Sequence, residues 1–218
     1  MGTSSRGCQH GWVDAGSADF GSEGMMMSKI GTHLEIEHKF VLEPGFDRDA
    51  FFHGVTALQP LRTHSAQVVE RYYLTEATPR LIYRHRYDEN NQDLTYKTFG
   101  GDDIEIRREV RLSLDLRVGN QSESVRAFLE PLGLTWQGGL NKDLQVFNFA
   151  DCEVVYYEAR TAEKTVTCVE FEALLADSVE AALATLASYE QRLGFRYRQR
   201  SRRSLFELLF RDATGGTP

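Results

Sequence analysis

The chain is poor in cysteine and proline and contains no long apolar run. It has 3 cysteines and 5 prolines in 218 residues. Cys8, Cys152 and Cys168 are widely spaced and form no C-x-x-C pair, so neither a disulfide framework nor a zinc site is predicted. No apolar run approaches the roughly 20 residues that a membrane-spanning helix needs. A reducing, cytoplasmic setting and no membrane partner are therefore the expectations.

The chain also lacks an excess of positive charge. Its 25 lysines and arginines are outnumbered by 32 acidic residues, which gives a formal net charge of −7. General binding to nucleic acid or to an anionic membrane requires a net basic field, so neither partner is expected. The arginines between residues 192 and 203 are interpreted as a solvated helix end rather than an RNA contact. A polyanion would have to bind in a local basic pocket.

Length and composition indicate one folded domain. Residues 1–27 are rich in glycine and serine and lack the apolar stretch of a secretory signal, so they are predicted to be a flexible leader. No internal repeat or linker divides residues 28–218, which are predicted to form a single domain.

The remaining pattern predicts strands joined by short breaks, with helices between and after them. The predicted strands are Thr32–Leu42, Ala66–Thr75, Arg80–Asp88, Gln92–Phe99, Ile104–Leu114, Leu144–Phe149, Glu153–Ala159 and Thr165–Leu174. The predicted helices are Gly45–Leu58, Ser122–Leu132, Ser178–Leu193 and Ser201–Arg211. Short links make neighbouring strands antiparallel, and eight such strands can close into a barrel. The expected fold is therefore α+β, an eight-stranded antiparallel β-barrel or tunnel with flanking helices.

The first strand carries the most informative motif, Glu35-x-Glu37-x-Lys39. Successive side chains of a strand point to opposite faces, so these three residues share one face. Two carboxylates about 6–7 Å apart along a strand can share a hard divalent cation, and the lysine can serve an anionic ligand beside it. The alternative is a solvated face whose charges keep a strand edge soluble.

Later strands repeat this pattern of one apolar and one charged face. The charged positions are Arg84, Arg86, Lys97, Glu105, Arg107, Glu109, Arg111, Glu158, Arg160, Glu170 and Glu172. The planar fork of arginine binds two phosphate oxygens at once, and carboxylates suit Mg²⁺ or Mn²⁺. Acids and bases together favour a charged lumen that binds a metal–polyphosphate. Cross-strand salt bridges on the outer surface are the alternative.

With these residues the chain resembles the CYTH superfamily, the triphosphate tunnel metalloenzymes. The resemblance covers about Leu34 to Phe206. The motifs that carry it are Glu35-x-Glu37-x-Lys39, Arg71-Tyr72-Tyr73-Leu74, Arg84-x-Arg86, Lys97, Arg107-Arg108-Glu109, Lys142 and Val169-Glu170-Phe171-Glu172. It implies an eight-stranded antiparallel tunnel that binds a triphosphate with a divalent metal. Members hydrolyse inorganic triphosphate, thiamine triphosphate or RNA 5′ triphosphates, or cyclise ATP.

The resemblance also implies roles for individual residues. The implied metal ligands are Glu35, Glu37, Glu170 and Glu172, with Glu158 where members often have an aspartate. The implied phosphate ligands are Arg84, Arg86, Lys97, Lys142 and Arg203. Lys39 and Tyr73 resemble a pair that helps to activate water, and Glu109 would assist metal or water. The family usually places an arginine two residues after the position of Lys142, where this chain has Leu144; Arg107 or Arg160 could take its place.

These features predict a hydrolase of a small triphosphate that depends on Mg²⁺ or Mn²⁺. Two alternatives stay open: an adenylyl cyclase that makes cyclic AMP from ATP, and a non-catalytic module that binds polyphosphate or nucleotide. His38 and His85 fall on faces opposite the charged sets, so they are interpreted as packing residues.

Overall fold

The computed structural model describes residues 31–76, 81–98 and 106–210 of the chain. The predicted leader, residues 1–27, lies outside these ranges. The strands are β1 (Gly31–Val41), β2 (Arg62–Thr75), β3 (Leu81–Tyr87), β4 (Gln92–Thr98), β5 (Ile106–Ser113), β6 (Leu134–Asn148), β7 (Cys152–Arg160) and β8 (Thr165–Ala173). The α-helices are α1 (Arg48–Ala57), α2 (Ser122–Leu129), α3 (Val179–Arg192) and α4 (Leu205–Phe210). No helix in these ranges is long and apolar enough to cross a membrane.

The eight strands form a closed antiparallel barrel, which confirms the predicted fold class. Around the ring the order is β1-β5-β4-β3-β2-β6-β7-β8. Strand β1 closes it by pairing with β5 over Gly31–Ile36 and with β8 over Glu37–Val41. Every strand in the ring has a neighbour on each side, so closure removes the exposed edges of an open sheet.

Strand β6 begins at Leu134, ten residues before the predicted start at Leu144. The prediction missed the first part of β6, before Leu144, because Gly138 and Gly139 look like a break between strands. In the structure both glycines lie within the strand, opposite Tyr72 and Arg71 of β2. A Cβ at Gly138 would collide with the Trp136 ring, and one at Gly139 with the Arg71 guanidinium. The glycines therefore allow close side-chain approach.

Helices α1 and α3 cover the outside of the barrel over β1, β6, β7 and β8. Their apolar side chains and the outer faces of these strands form one buried cluster, which includes Phe40, Phe51, Val55, Phe147, Val154, Phe171 and Leu186. Ser178 is the N-cap of α3, because its hydroxyl accepts a hydrogen bond from the Ala181 N–H at 3.1 Å. Helix α2 covers another part of the outer surface, where Val125 and Leu129 pack against Tyr73 of β2.

Helix α4 packs at the end of the barrel where β2 ends and β6 begins. Phe206 and Phe210 contact the rings of Tyr72 and Trp136, with centroid distances of 5.1–5.8 Å. These rings belong to a second buried cluster, which includes Leu74 and residues of β6, β7 and β8. This end of the barrel is therefore filled with packed apolar side chains, and the charged side chains lie elsewhere in the interior.

Candidate functional site

The strand register determines which charged residues face the interior of the barrel. Directly opposed residues of an antiparallel pair share a face, so inward positions can be followed from strand to strand. Glu37 lies opposite Glu172, and Lys39 lies opposite Glu170. Although charged, Glu35, Glu37 and Lys39 are only 8%, 9% and 5% exposed. The face that carries the opening motif is therefore the inner one.

The inward acids of β1 and β8 form what we call the acidic wall: Glu35, Glu37, Glu170 and Glu172. Lys39 lies among these acids. Its Nζ is 3.2 Å from Glu37 Oε1 and 2.9 Å from Glu170 Oε1. The Tyr157 hydroxyl donates a hydrogen bond to the same Glu170 oxygen at 2.8 Å. The register alone therefore brings together four of the five predicted metal ligands and the predicted catalytic lysine.

The opposite part of the interior is basic. We call Arg84 and Arg86 of β3 and Lys142 of β6 the basic wall. All three flank β2: Arg86 lies opposite Glu70, and Lys142 lies opposite Val68. The Lys142 Nζ is 4.1 Å from the centroid of the Tyr157 ring, a cation–π contact. Arg84, Arg86 and Lys142 were all predicted phosphate ligands, and the fold places them on β3 and β6, the two strands that pair with β2.

Glu70 was not predicted, and it is the buried acid among these bases. Its side chain is fully buried, its Oε2 accepts a hydrogen bond from the Tyr72 hydroxyl at 2.7 Å, and its Oε1 is 3.7 Å from Lys142 Nζ. Burial alone would raise the pKa of Glu70, but Lys142, Arg84, Arg86 and the Tyr72 hydrogen bond outweigh it and lower the pKa to about 2. Glu70 is therefore ionised at any physiological pH.

The same environment shifts the basic groups. Burial lowers the pKa of Lys142 despite the nearby charges of Glu70 and Glu170. Burial acts to lower the pKa of Arg84 as well. The negative charges of Glu109 and Glu70 outweigh burial and raise the pKa of Arg84 well above its ordinary value. Arg84 is thus a fixed positive charge, whereas Lys142 loses its proton more readily than an exposed lysine.

Glu109 of β5 lies beside the basic wall, on the inner face. It is fully buried, accepts a hydrogen bond from Arg111 Nη2 at 2.9 Å, and lies 3.7 Å from Arg84 Nη2. The backbone register places Lys97 opposite Glu109 and Arg107 opposite Glu35. The side chains of these two predicted phosphate ligands lie outside the described residues.

The structure corrects the position of the predicted catalytic tyrosine. Tyr73 lies on the outer face of β2, where it packs against α2 and its hydroxyl donates to the Ser122 carbonyl at 3.3 Å. It therefore cannot pair with Lys39 inside the barrel. Its neighbour Tyr72 faces inward. Both rings are buried, so the alternation that distinguishes inner from outer faces is hidden at this point of the sequence.

Glu158 and Arg160 are also misplaced by the prediction. Both lie on the outer face of β7, because the inward positions of that strand are Val155, Tyr157 and Ala159, opposite Glu170, Cys168 and Val166. Arg160 instead forms surface ion pairs with Glu158 and Asp143. Neither residue can hold a metal or a phosphate in the lumen. On this strand the salt-bridge alternative was the correct interpretation.

Arg203, the last predicted phosphate ligand, is exposed and lies in the segment before α4. The arginine of this region that reaches a buried partner is Arg200. Its Nη2 donates to Glu190 Oε2 at 2.9 Å, and its Nη1 lies 3.1 Å from His38 Nε2, on the outer side of β1. His38 and His85 are buried on outer faces, as predicted, but His38 is more than a packing residue, because its Nδ1 pairs with the Glu190 carboxylate. His85 lies 3.2 Å from the Gln92 side chain and 3.1 Å from the Ser122 hydroxyl.

The acidic wall has the donor chemistry of a hard divalent cation, because it offers carboxylate oxygens from two adjacent strands. Across the described ranges, however, no three histidine, cysteine or acidic side chains are grouped closely enough to hold a metal ion. Instead the ammonium of Lys39 lies between Glu37 and Glu170, which shows that this group of acids accepts a cation. The oxygen donors are therefore of the type that Mg²⁺ or Mn²⁺ prefers, although within the described ranges they are not gathered into a metal site.

Solved structures with the same architecture provide an independent comparison. PH1012 protein from Pyrococcus horikoshii superposes with a TM-score of 0.62 at 18% identity, covering 80% of this chain and 98% of its own. A proposed adenylate cyclase from Bacillus halodurans gives 0.58 at 15% identity, covering 83% and 99%. HpAC1 from Hippeastrum, which has a dominant triphosphatase activity, gives 0.56 at 18% identity, covering 82% and 96%.

The chain has the fold of these solved structures, which agrees with the fold expected from the sequence resemblance. No family model matches the sequence, and no curated protein matches it. At 15–18% identity, these structures support a shared fold but not a particular activity. The chemistry that this chain can perform must therefore be inferred from the residues that face the interior of its own barrel.

Proposed function

We propose that the chain is a metal-dependent hydrolase of a small triphosphate, bound in the lumen between the acidic and basic walls. The observation that carries this proposal is the inward placement of both walls by one continuous strand register. A metal–triphosphate presents a cation to carboxylates and anionic oxygens to arginine and lysine, so it matches both walls at once.

Arg84, Arg86 and Lys142 would bind the phosphate oxygens. Hydrolysis of a phosphoanhydride asks the protein mainly to position the reactants and to stabilise negative charge on the transferred group. Donors that are already fixed in a buried site do this without reorganising during the reaction. Arg84 meets that condition, since it is largely buried, its Nη2 lies 3.7 Å from Glu109 Oε1, and the charges of Glu109 and Glu70 keep it protonated.

Glu35, Glu37, Glu170 and Glu172 would hold the metal. When bound, Mg²⁺ or Mn²⁺ would neutralise charge on the phosphate oxygens and lower the pKa of bound water. Lys39 reaches Glu37 and Glu170, so its ammonium is placed to orient a water or a phosphate oxygen at the edge of the acidic wall. Tyr157, which donates to Glu170, fixes that carboxylate.

Similarity to a triphosphatase supports hydrolysis, because HpAC1 from Hippeastrum shares the fold and has that activity. The resemblance to a proposed adenylate cyclase from Bacillus halodurans makes ATP cyclisation the second candidate. The two reactions differ in product: hydrolysis releases orthophosphate, whereas cyclisation yields cyclic AMP and pyrophosphate.

The test is phosphate release from inorganic triphosphate, thiamine triphosphate and ATP, with Mg²⁺, with Mn²⁺ and with EDTA. We expect metal-dependent release that the Glu35→Ala/Glu37→Ala double variant loses, because it removes half of the acidic wall. Glu163→Ala, in the exposed turn before β8, is the control and should keep full activity. Cyclic AMP and pyrophosphate in place of orthophosphate would assign the cyclase. A folded wild-type protein without turnover on any of the three would refute the hydrolase.

A further inference from the structure

Resting on the proposed function, we infer that Glu70 is a specificity residue: its buried negative charge opposes metal-free polyanions and favours triphosphate that arrives with its metal. The charge of Glu70 has the same sign as that of the proposed substrate. A carboxylate in the middle of a phosphate site requires an explanation, because it weakens the attraction that the arginines provide.

The geometry places Glu70 where phosphate oxygens would bind. It lies on the inner face of β2, directly opposite Arg86 on one side and Leu140 on the other. Lys142, Arg84 and Arg86 all lower its pKa, so their fields converge on this carboxylate. Glu70 therefore places a fixed negative charge among the three cations.

One oxygen of Glu70 is left for a further interaction. Its Oε2 accepts from Tyr72, but its Oε1 is buried and has no hydrogen-bond partner among the described residues; the nearest cation, Lys142 Nζ, is 3.7 Å away. A buried, ionised oxygen without a hydrogen bond is costly. Such a charge repels an incoming phosphate oxygen unless positive charge accompanies it.

The consequence is discrimination by total charge. Metal-free triphosphate is more negative than its Mg²⁺ complex, so a fixed carboxylate in the site penalises the free anion more strongly. The arginines provide affinity for either form, and Glu70 shifts the preference toward the metal-loaded one. A purely structural role, in which Glu70 only holds the arginines, would instead weaken both forms equally when the residue is replaced.

The test compares Glu70→Gln with wild type by calorimetric titration of inorganic triphosphate, once in EDTA and once in Mg²⁺. Glutamine keeps an oxygen for the Tyr72 hydroxyl but removes the charge. We expect the Kd in EDTA to fall at least about tenfold, so that the ratio of the Kd in EDTA to the Kd in Mg²⁺ decreases. Glu70→Asp keeps the charge, and the exposed Glu123→Gln removes a charge outside the barrel; both should keep the wild-type ratio.

Two outcomes overturn the inference: an unchanged or larger ratio in Glu70→Gln, or a Glu70→Gln protein that binds no triphosphate in either buffer. Should Glu70→Gln fail to fold, Lys142→Gln and Lys142→Gln/Glu70→Gln provide the same comparison with the local charge rebalanced, and the ratio must fall from the first to the second. A wild type that binds no triphosphate, beside a Glu70→Gln that binds it in EDTA, would refute the proposed function and still support Glu70 as a barrier to anions.

Discussion

The two walls of the lumen carry charges of opposite sign, and each wall contains one buried group of the other sign. The acidic wall places carboxylates of β1 and β8 around the ammonium of Lys39. The basic wall places Arg84, Arg86 and Lys142 around the carboxylate of Glu70. Lys39 and Glu70 therefore have corresponding positions, because each one offsets part of the charge of the wall that surrounds it. Under the proposed function, a metal–triphosphate would provide both charges from outside and so match both walls.

The largest expected effect comes from removing a phosphate donor of the basic wall. Arg86→Ala should lower kcat/KM for inorganic triphosphate by about 10²–10³, the cost of removing one fixed donor in other enzymes. Additional Mg²⁺ should not restore the activity, because the proposed partner of Arg86 is phosphate rather than metal. Steady-state kinetics at several Mg²⁺ concentrations measure this. The matched control is Arg117→Ala, an exposed arginine paired with Asp115, and a comparable loss there would contradict the assignment.

The next largest effect is expected on stability, because the ionised carboxylate of Glu70 stabilises the folded protein. Its pKa is about 2 in the folded protein and 4.5 when unperturbed, so its contribution is complete above pH 4.5 and is lost as the pH falls toward 2. The total is about 3 kcal/mol, of which about 1 kcal/mol is lost by pH 3.5. Urea unfolding of wild type and Glu70→Gln between pH 7 and pH 3.5 should show their difference in unfolding free energy becoming smaller. A difference independent of pH would show that Glu70 is not ionised in this way.

The smallest effect is expected at the acidic wall. Glu170→Gln keeps an acceptor for Tyr157 but weakens the metal site, so the Mg²⁺ concentration for half-maximal activity should rise at least about tenfold. High Mg²⁺ should restore most of the rate, in contrast to Arg86→Ala. Activity measured across an Mg²⁺ titration separates the two behaviours, with Glu163→Gln in the exposed turn as the control. A loss that no Mg²⁺ concentration reverses would place Glu170 in the phosphate site.

Most of the fold and half of the site could be predicted from strand alternation. Glu35, Glu37 and Lys39 share a face in any strand, and the prediction that this face is internal was correct. The error on β7 has a physical reason. Alternation shows that Glu158 and Arg160 share a face of the strand, but it does not show whether that face is the inner or the outer one. There the inner face is Val155, Tyr157 and Ala159, which pack inside the barrel, while the charges face solvent.

Tyr73 and Glu70 show a second reason why strand alternation does not predict every residue of the site. Tyr72 and Tyr73 are adjacent, equally aromatic and both buried, one inside the barrel and one under α2, so no local pattern separates them. Glu70 was missed because it follows Val68 on a face that is otherwise apolar. The spacing Val68, Glu70, Tyr72, Leu74 contained the signal, since an acid on an apolar face is a buried charge that needs partners. Those partners come from β3 and β6, which only the register reveals.

The pairing of β1 with β8 has a consequence for how the chain folds. Glu37 and Glu172 meet across this pair, although most of the chain separates them in sequence. The segment after α3 adds a further link, because the Ser201 N–H donates to the Lys39 carbonyl at 2.7 Å. During synthesis, β1 leaves the ribosome first and must wait for its last partners before the ring can close. Such long-range pairing slows folding and exposes strand edges meanwhile, so the barrel should depend on the late C-terminal segments to become protease-resistant.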